Sequence, residues 1–101
     1  MDAESLFESV PNFSEGRRVE VIAALEHAVR KAYLLDTDPD PDHNRVVISI
    51  AGGRAKITDA VMTSVGEAIE RIDVTRHRGV HPRVGAADVV PLIPLVETTM
   101  V

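Results

Sequence analysis

Apolar and polar positions along the chain fall into six predicted elements. Residues 6–10 (LFESV) are a short mixed run stopped by Pro11, which predicts a strand. Residues 11–16 (PNFSEG) carry turn chemistry, and Ser14 is placed to N-cap the next segment. Over 17–32 the apolar residues recur at helical spacing. Val21, Leu25, Ala28 and Ala32 form one face, Ile22 and Val29 widen it, and Glu20, Glu26, Arg30 and Lys31 fall mostly opposite. The basic pair sits at the C-terminal end, where the helix dipole favours it. Residues 33–36 (YLLD) predict a second strand, and 37–44 (TDPDPDHN) a loop rich in turn-formers. Residues 45–51 (RVVISIA) predict a third, β-branched and central strand, ended by Gly52 and Gly53. A second amphipathic helix covers 54–72, with Ile57, Val61, Val65, Ala68 and Ile72 on one face. Residues 76–85 (RHRGVHPRVG) have no period and read as a structured loop. Residues 89–95 (VVPLIPL) predict a fourth strand. Pro91 and Pro94 remove ladder donors, so this strand belongs at an edge or breaks partway.

The order β-α-β-β-α-β predicts an α+β domain over 1–101. Two helices on one face of a four-stranded antiparallel sheet is the economical packing, a ferredoxin-like arrangement. That fold hosts many functions and names none.

Composition narrows the choice. The 101 residues suffice for one modest core. Aromatics are only 3 %, so the core is aliphatic. The net charge of −5, with no basic stripe interleaved with aromatics, argues against nucleic-acid binding. With no cysteine, thiolate chemistry and Cys-based zinc sites are excluded. The acidic N-terminus has no apolar signal segment, and no run approaches the ~20 apolar residues of a membrane helix. A soluble cytoplasmic protein is the expectation.

Four features can carry chemistry. Arg76, His77, Arg78, His81 and Arg83 crowd into eight positions, and no basic residue follows Arg83. On an acidic chain this fits either an anionic ligand or a solvated basic loop. Pro82 biases His81 toward extended geometry, Gly79 and Gly85 let the backbone turn, and such a histidine suits proton transfer near pH 7. Asp36, Asp38, Asp40 and Asp42 form an acidic ladder before His43 and Asn44; alternation in an extended segment sets them on one side, to orient an imidazole, grip an amine or solubilise a loop. Asp36 and Asp38 directly follow a strand and are the better placed pair. The segment 11–16 offers Asn12 and the free amides of a helix start to an anion, or only a cap. Gly52-Gly53-Arg54 matches no phosphate-loop pattern and reads as a turn. His77 and His81 are spaced for a metal only on a helix, which Gly79 and Pro82 oppose, so no metal is expected.

These residues also carry a resemblance. Residues 10–16 (VPNFSEG), then Leu34-Leu35-Asp36-Thr37-Asp38 with Asn44-Arg45, and then Ile72-Asp73 with residues 76–89 (RHRGVHPRVGAADV) resemble, in order and spacing, three signature blocks of the glutamate formiminotransferases. The resemblance covers the chain from about Leu6 onward.

It implies an enzyme that transfers the formimino group of N-formimino-L-glutamate to tetrahydrofolate, giving 5-formiminotetrahydrofolate and L-glutamate. This reaction belongs to histidine degradation and feeds one-carbon metabolism. The resemblance implies two ferredoxin-like subdomains with folate in a groove between them, this chain being the N-terminal one, C-terminally incomplete. It implies His81 as the catalytic histidine and Asp38 as its acidic partner. Asn12, Arg76, His77, Arg83 and Gly85 are the expected substrate- or folate-binding positions. Tetrahydrofolate serves as co-substrate, and a homo-oligomer or a separate second subdomain would complete the groove. The chemistry agrees. N5 of tetrahydrofolate attacks the amidine carbon, N5 loses a proton, and the departing glutamate nitrogen gains one; a group with a pKa near 6.5 can do both in turn. The other expectation is a stand-alone folate- or amino-acid-binding module without turnover.

Overall fold

The computed structural model describes residues 6–72, 87–88 and 93–94. It contains eight elements in chain order: β1 (Leu6–Ser9), β2 (Asn12–Phe13), α1 (Val19–Ala28), β3 (Tyr33–Asp40), β4 (Arg45–Gly53), α2 (Arg54–Arg71), β5 (Ala87–Asp88) and β6 (Ile93–Pro94). The architecture is α+β, with two helices and one antiparallel sheet.

The number of strands differs from the four expected, because proline interrupts the ladder. β1 and β2 both pair with β4, Ser9 opposite Ile50 and Asn12 opposite Val47, in one uninterrupted register. Pro11 between them has no N–H to donate, although its carbonyl still accepts the Ile48 amide at 3.1 Å. β3 pairs along the other edge of β4. β5 pairs with β2 and β6 with β1, and neither has a further partner among the described residues. Of the predicted strand 89–95, Ile93 and Pro94 are seen as β6, with β5 ahead of it at Ala87–Asp88; its other residues lie outside the described residues.

Opposite residues of an antiparallel ladder face the same way. Phe13 pairs with Val46 and Ser9 with Ile50, and all four are buried beneath the helices together with Ile48. From α1 come Val21 and Leu25, with Val29 just beyond its end; from α2 come Ile57, Ala60, Val61 and Ala68. These are the faces the helical spacing predicts, and each fully buried aliphatic side chain contributes about 1.5–3 kcal/mol. Ser64, also buried, turns its hydroxyl back to the Val61 carbonyl at 2.8 Å.

Several predicted boundaries move, among them those of α1 and of the 37–44 loop. α1 starts at Val19 rather than 17 and is capped by Arg18, not Ser14. The reason is Glu15, whose carboxylate accepts the amides of Arg17 (3.0 Å) and Arg18 (2.8 Å) and folds the approach into a turn. At its other end α1 tightens into i→i+3 bonds, Arg30 to His27 and Ala32 to Val29, and stops four residues short of 32. Finally, the predicted loop 37–44 is strand as far as Asp40, leaving only 41–44 as the turn. The Ile48 amide points at Pro11, so the amides of Arg45, Val47 and Ser49 point at β3. Pro39, opposite Val46, therefore turns its donorless nitrogen away from β4, to the side where β3 has no partner among the described residues.

Candidate functional site

The second face of the sheet has no helix over it among the described residues. It is built by the positions that alternate with the core. Asp36 lies opposite Ser49, Asp38 opposite Val47, and Asp40 opposite Arg45. Val47 is also opposite Asn12, and Asn12 opposite Asp88. Asp38, Val47 and Asn12 therefore form one row across three neighbouring strands, with Asp88 opposite Asn12 in the backbone register. With strands about 4.8 Å apart, Asp38 and Asn12 stand roughly 10 Å from each other, too far to bond directly and well spaced to hold one planar group between them.

Asn12 and Asp38 are thus brought to one face. The Asn12 amide nitrogen donates to the Val10 carbonyl at 3.2 Å, which fixes the side chain and leaves its oxygen turned elsewhere. Asp38 is exposed. His81, Arg76, His77, Arg83 and Gly85 lie outside the described residues.

The acidic ladder keeps its alternation only to Asp40. Asp42 is in the turn, and its amide donates to the Asp40 carboxylate at 3.1 Å. Asp40 does orient an imidazole, though that of His43: its second oxygen meets His43 Nδ1 at 2.7 Å. This contact and the His43 amide hold the Asp40 carboxyl below the usual range. The described part of the face is acidic, with three aspartates against Arg45.

Three amides on the approach to α1 are already committed within the chain. Of the amides that residues 11–16 and the following pair were expected to present, those of Arg17 and Arg18 are taken by Glu15, and that of Gly16 donates to Asn44 Oδ1 at 2.8 Å. Glu15 is 4 % exposed. Burial pushes its carboxyl up, but the amides of Arg18 and Arg17 and the Arg18 guanidinium at 2.9 Å outweigh this and hold it below the usual range. Gly52 and Gly53, expected as a turn, are instead the last two residues of β4, opposite Phe7 and Leu6, and α2 follows directly; Arg54 lies over the Phe7 ring with 4.9 Å from guanidinium carbon to centroid.

Val47 and Ser49, which floor this face, are absent from the residues singled out in the sequence. The alternation in RVVISI carries the signal for them: Val46, Ile48 and Ile50 take the core, so Arg45, Val47 and Ser49 must take the other side. No group of three or more His, Cys, Asp or Glu is gathered for a metal ion among the described residues. No helix among them is long and apolar enough to cross a membrane.

Comparison with known proteins adds identity to this geometry. The family model of the formiminotransferase domain, N-terminal subdomain, matches residues 6–101. A glutamate formimidoyltransferase of Thermoplasma acidophilum is 48 % identical over 99 residues, covering 95 % of this chain and 33 % of the relative. A formimidoyltransferase-cyclodeaminase of Sus scrofa is 43 % identical over 98 residues, covering 94 % of this chain and 18 % of the relative. A glutamate formimidoyltransferase of Streptococcus pyogenes is 40 % identical over 97 residues, with 93 % and 32 % covered. The chain thus spans about a third of the transferases it matches, and less of the cyclodeaminase fusions. A match running from β1 to the last residue leaves one conclusion: the chain belongs to the formiminotransferase family, at the position of its N-terminal subdomain.

Proposed function

We propose that this chain supplies one wall of a site that transfers the formimino group of N-formimino-L-glutamate to tetrahydrofolate, releasing L-glutamate. The observation that carries the reading is the row Asp38–Val47–Asn12 on the uncovered sheet face, in a chain whose relatives are named formimidoyltransferases. Val47 offers a flat apolar floor for a ring, and Asn12 and Asp38 offer an amide and a carboxylate on either side. His81 moves the proton from N5 of tetrahydrofolate to the leaving glutamate nitrogen, and Asp38 orients it and stabilises its imidazolium. Because the described face is acidic, the carboxylates of both substrates need Arg76, Arg83 and His77 to meet them, with Gly85 letting the backbone come close. The product enters one-carbon metabolism, and the reaction serves histidine degradation in the cytoplasm.

We also read the sheet as ferredoxin-like. Its support is that β1 and β2 keep one register along β4, with β5 and β6 together beyond them and β3 on the opposite side.

The test is formimino transfer by purified residues 1–101, alone and joined to the remaining two-thirds that the relatives carry, beside His81→Ala controls. Transfer by the joined form that vanishes in its control supports the reading. Saturable tetrahydrofolate binding without transfer in either form overturns it in favour of a binding module.

A further inference from the structure

The two site residues of the uncovered face are wired to one point that lies on neither side of the ligand space. Gly16, four residues after Asn12, donates its amide to Asn44 Oδ1 at 2.8 Å in a buried bond. Asn44 closes the β3–β4 turn with φ of 53°, a left-handed conformation that asparagine tolerates and most residues resist. The Gly16 backbone is packed so closely that an added Cβ would lie 2.4 Å from the Arg45 carbonyl oxygen and 2.6 Å from both the Arg45 nitrogen and the Asp40 carbonyl oxygen. Asp40 and Arg45 are the last pair of the hairpin, and Asp38 sits two residues up the same strand. Arg17 adds a second tie, from its Nε to the Pro41 carbonyl at 2.7 Å.

This hairpin needs such a tie. Its register already shifts by one residue between Leu34 and Asp36. Below that bulge, a further slip of one residue would turn Asp38 to the core face and bring Thr37 or Pro39 out. The turn end is where the register is set. We propose that Asn44, with Gly16 as its donor, is a positioning residue of the site: it locks the register that keeps Asp38 across Val47 from Asn12, and does so without touching the ligand. The inference rests on the reading of Asp38 and Asn12 as site residues.

The test compares Asn44→Gly, which keeps the left-handed backbone but loses the acceptor, with Asn44→Asp, which keeps both. It uses the whole 101-residue chain, with amide exchange and the chemical shift of the Asp38 carboxyl carbon read by NMR. In Asn44→Gly, exchange of the Asp38 and Val47 amides rises about tenfold, the equivalent of one buried hydrogen bond, while Leu25 and Ala60 stay protected. The Asp38 carboxyl-carbon chemical shift at fixed pH moves, that of Asp59 on α2 does not, and Asn44→Asp restores both readouts. Changes confined to residues 14–17 and 41–45, with Asp38, Val47 and Asn12 unmoved, overturn the proposal. Should Asn44→Gly not fold, the wild-type chain decides: the Gly16, Asp38 and Val47 amides open as one unit if the lock is real, and a separate, faster opening of Gly16 overturns it. None of these readouts uses folate or a formimino donor, so absence of transfer activity is a distinct result.

Discussion

Asp38 and Asn12 are both cross-strand partners of Val47, one from each side, although 25 residues separate them in the chain. Their proximity is a property of register alone. The side chains do not bond to each other, so a change at either one alters the face and not the fold.

Asp38→Asn therefore separates chemistry from stability. In a protein that completes the site, kcat falls by about a hundredfold if the carboxylate stabilises an imidazolium. Unfolding by urea changes by less than about 0.5 kcal/mol, because the side chain is exposed. Unchanged kcat would remove Asp38 from the mechanism.

His81→Ala is expected to lower kcat by about a hundredfold to ten-thousandfold and leave tetrahydrofolate affinity nearly intact, since a proton carrier acts in the transition state. Arg83→Ala is expected to act the other way, raising KM at nearly constant kcat. Steady-state kinetics of the two variants side by side distinguishes the roles, and an exchange of the two patterns would reverse them.

Gly16→Ala should be severe. Its new methyl meets backbone atoms at 2.4–2.6 Å, and backbone cannot step aside as a side-chain tip does. A loss of about 3 kcal/mol or more in denaturant unfolding is expected. Gly66→Ala, on α2 with nothing within 4 Å of the added methyl, should instead gain up to about 1 kcal/mol.

Glu15 ties stability to pH. Its carboxyl is held below the ordinary value of about 4.3 in the folded state. A depressed carboxyl stabilises the fold above its unfolded pKa and loses that contribution as pH falls through its folded one. Wild type should therefore lose stability more steeply than Glu15→Gln below about pH 4.3. At pH 7 the variant should be weaker by about 1 kcal/mol, a modest figure because Arg18 is half-exposed. Parallel acid limbs in the two unfolding curves would show that the carboxylate is not the group responsible.

The elements were legible where one period dominates. RVVISIA alternates cleanly, and the spacing from Val21 to Leu25 and from Ile57 to Ala68 fits nothing but a helix buried on one side. Residues 37–40 were not, because Asp and Pro there carry turn propensity while their alternation fits an edge strand; pairing with β4 decides between the two. Ser14 had the composition of a cap, yet a buried Glu15 took the amides first. The Asn12–Asp38 pairing was beyond a single sequence, since it depends on a third residue, Val47, and on a register set at Gly16 and Asn44. His81 and the basic residues around it stand on their motif and lie outside the described residues.

Pro39 bears on how this protein avoids its own kind. Among the described residues β3 forms one border of the sheet, and a bare border is a template on which another chain can add a strand. Here the border lacks an N–H at Pro39, and Asp36, Asp38 and Asp40 line the same strand. A second β3 laid against it in antiparallel fashion would find a missing donor and crowd carboxylate against carboxylate. The carboxylates along this strand thus also make the β3 edge a poor seed for fibrils.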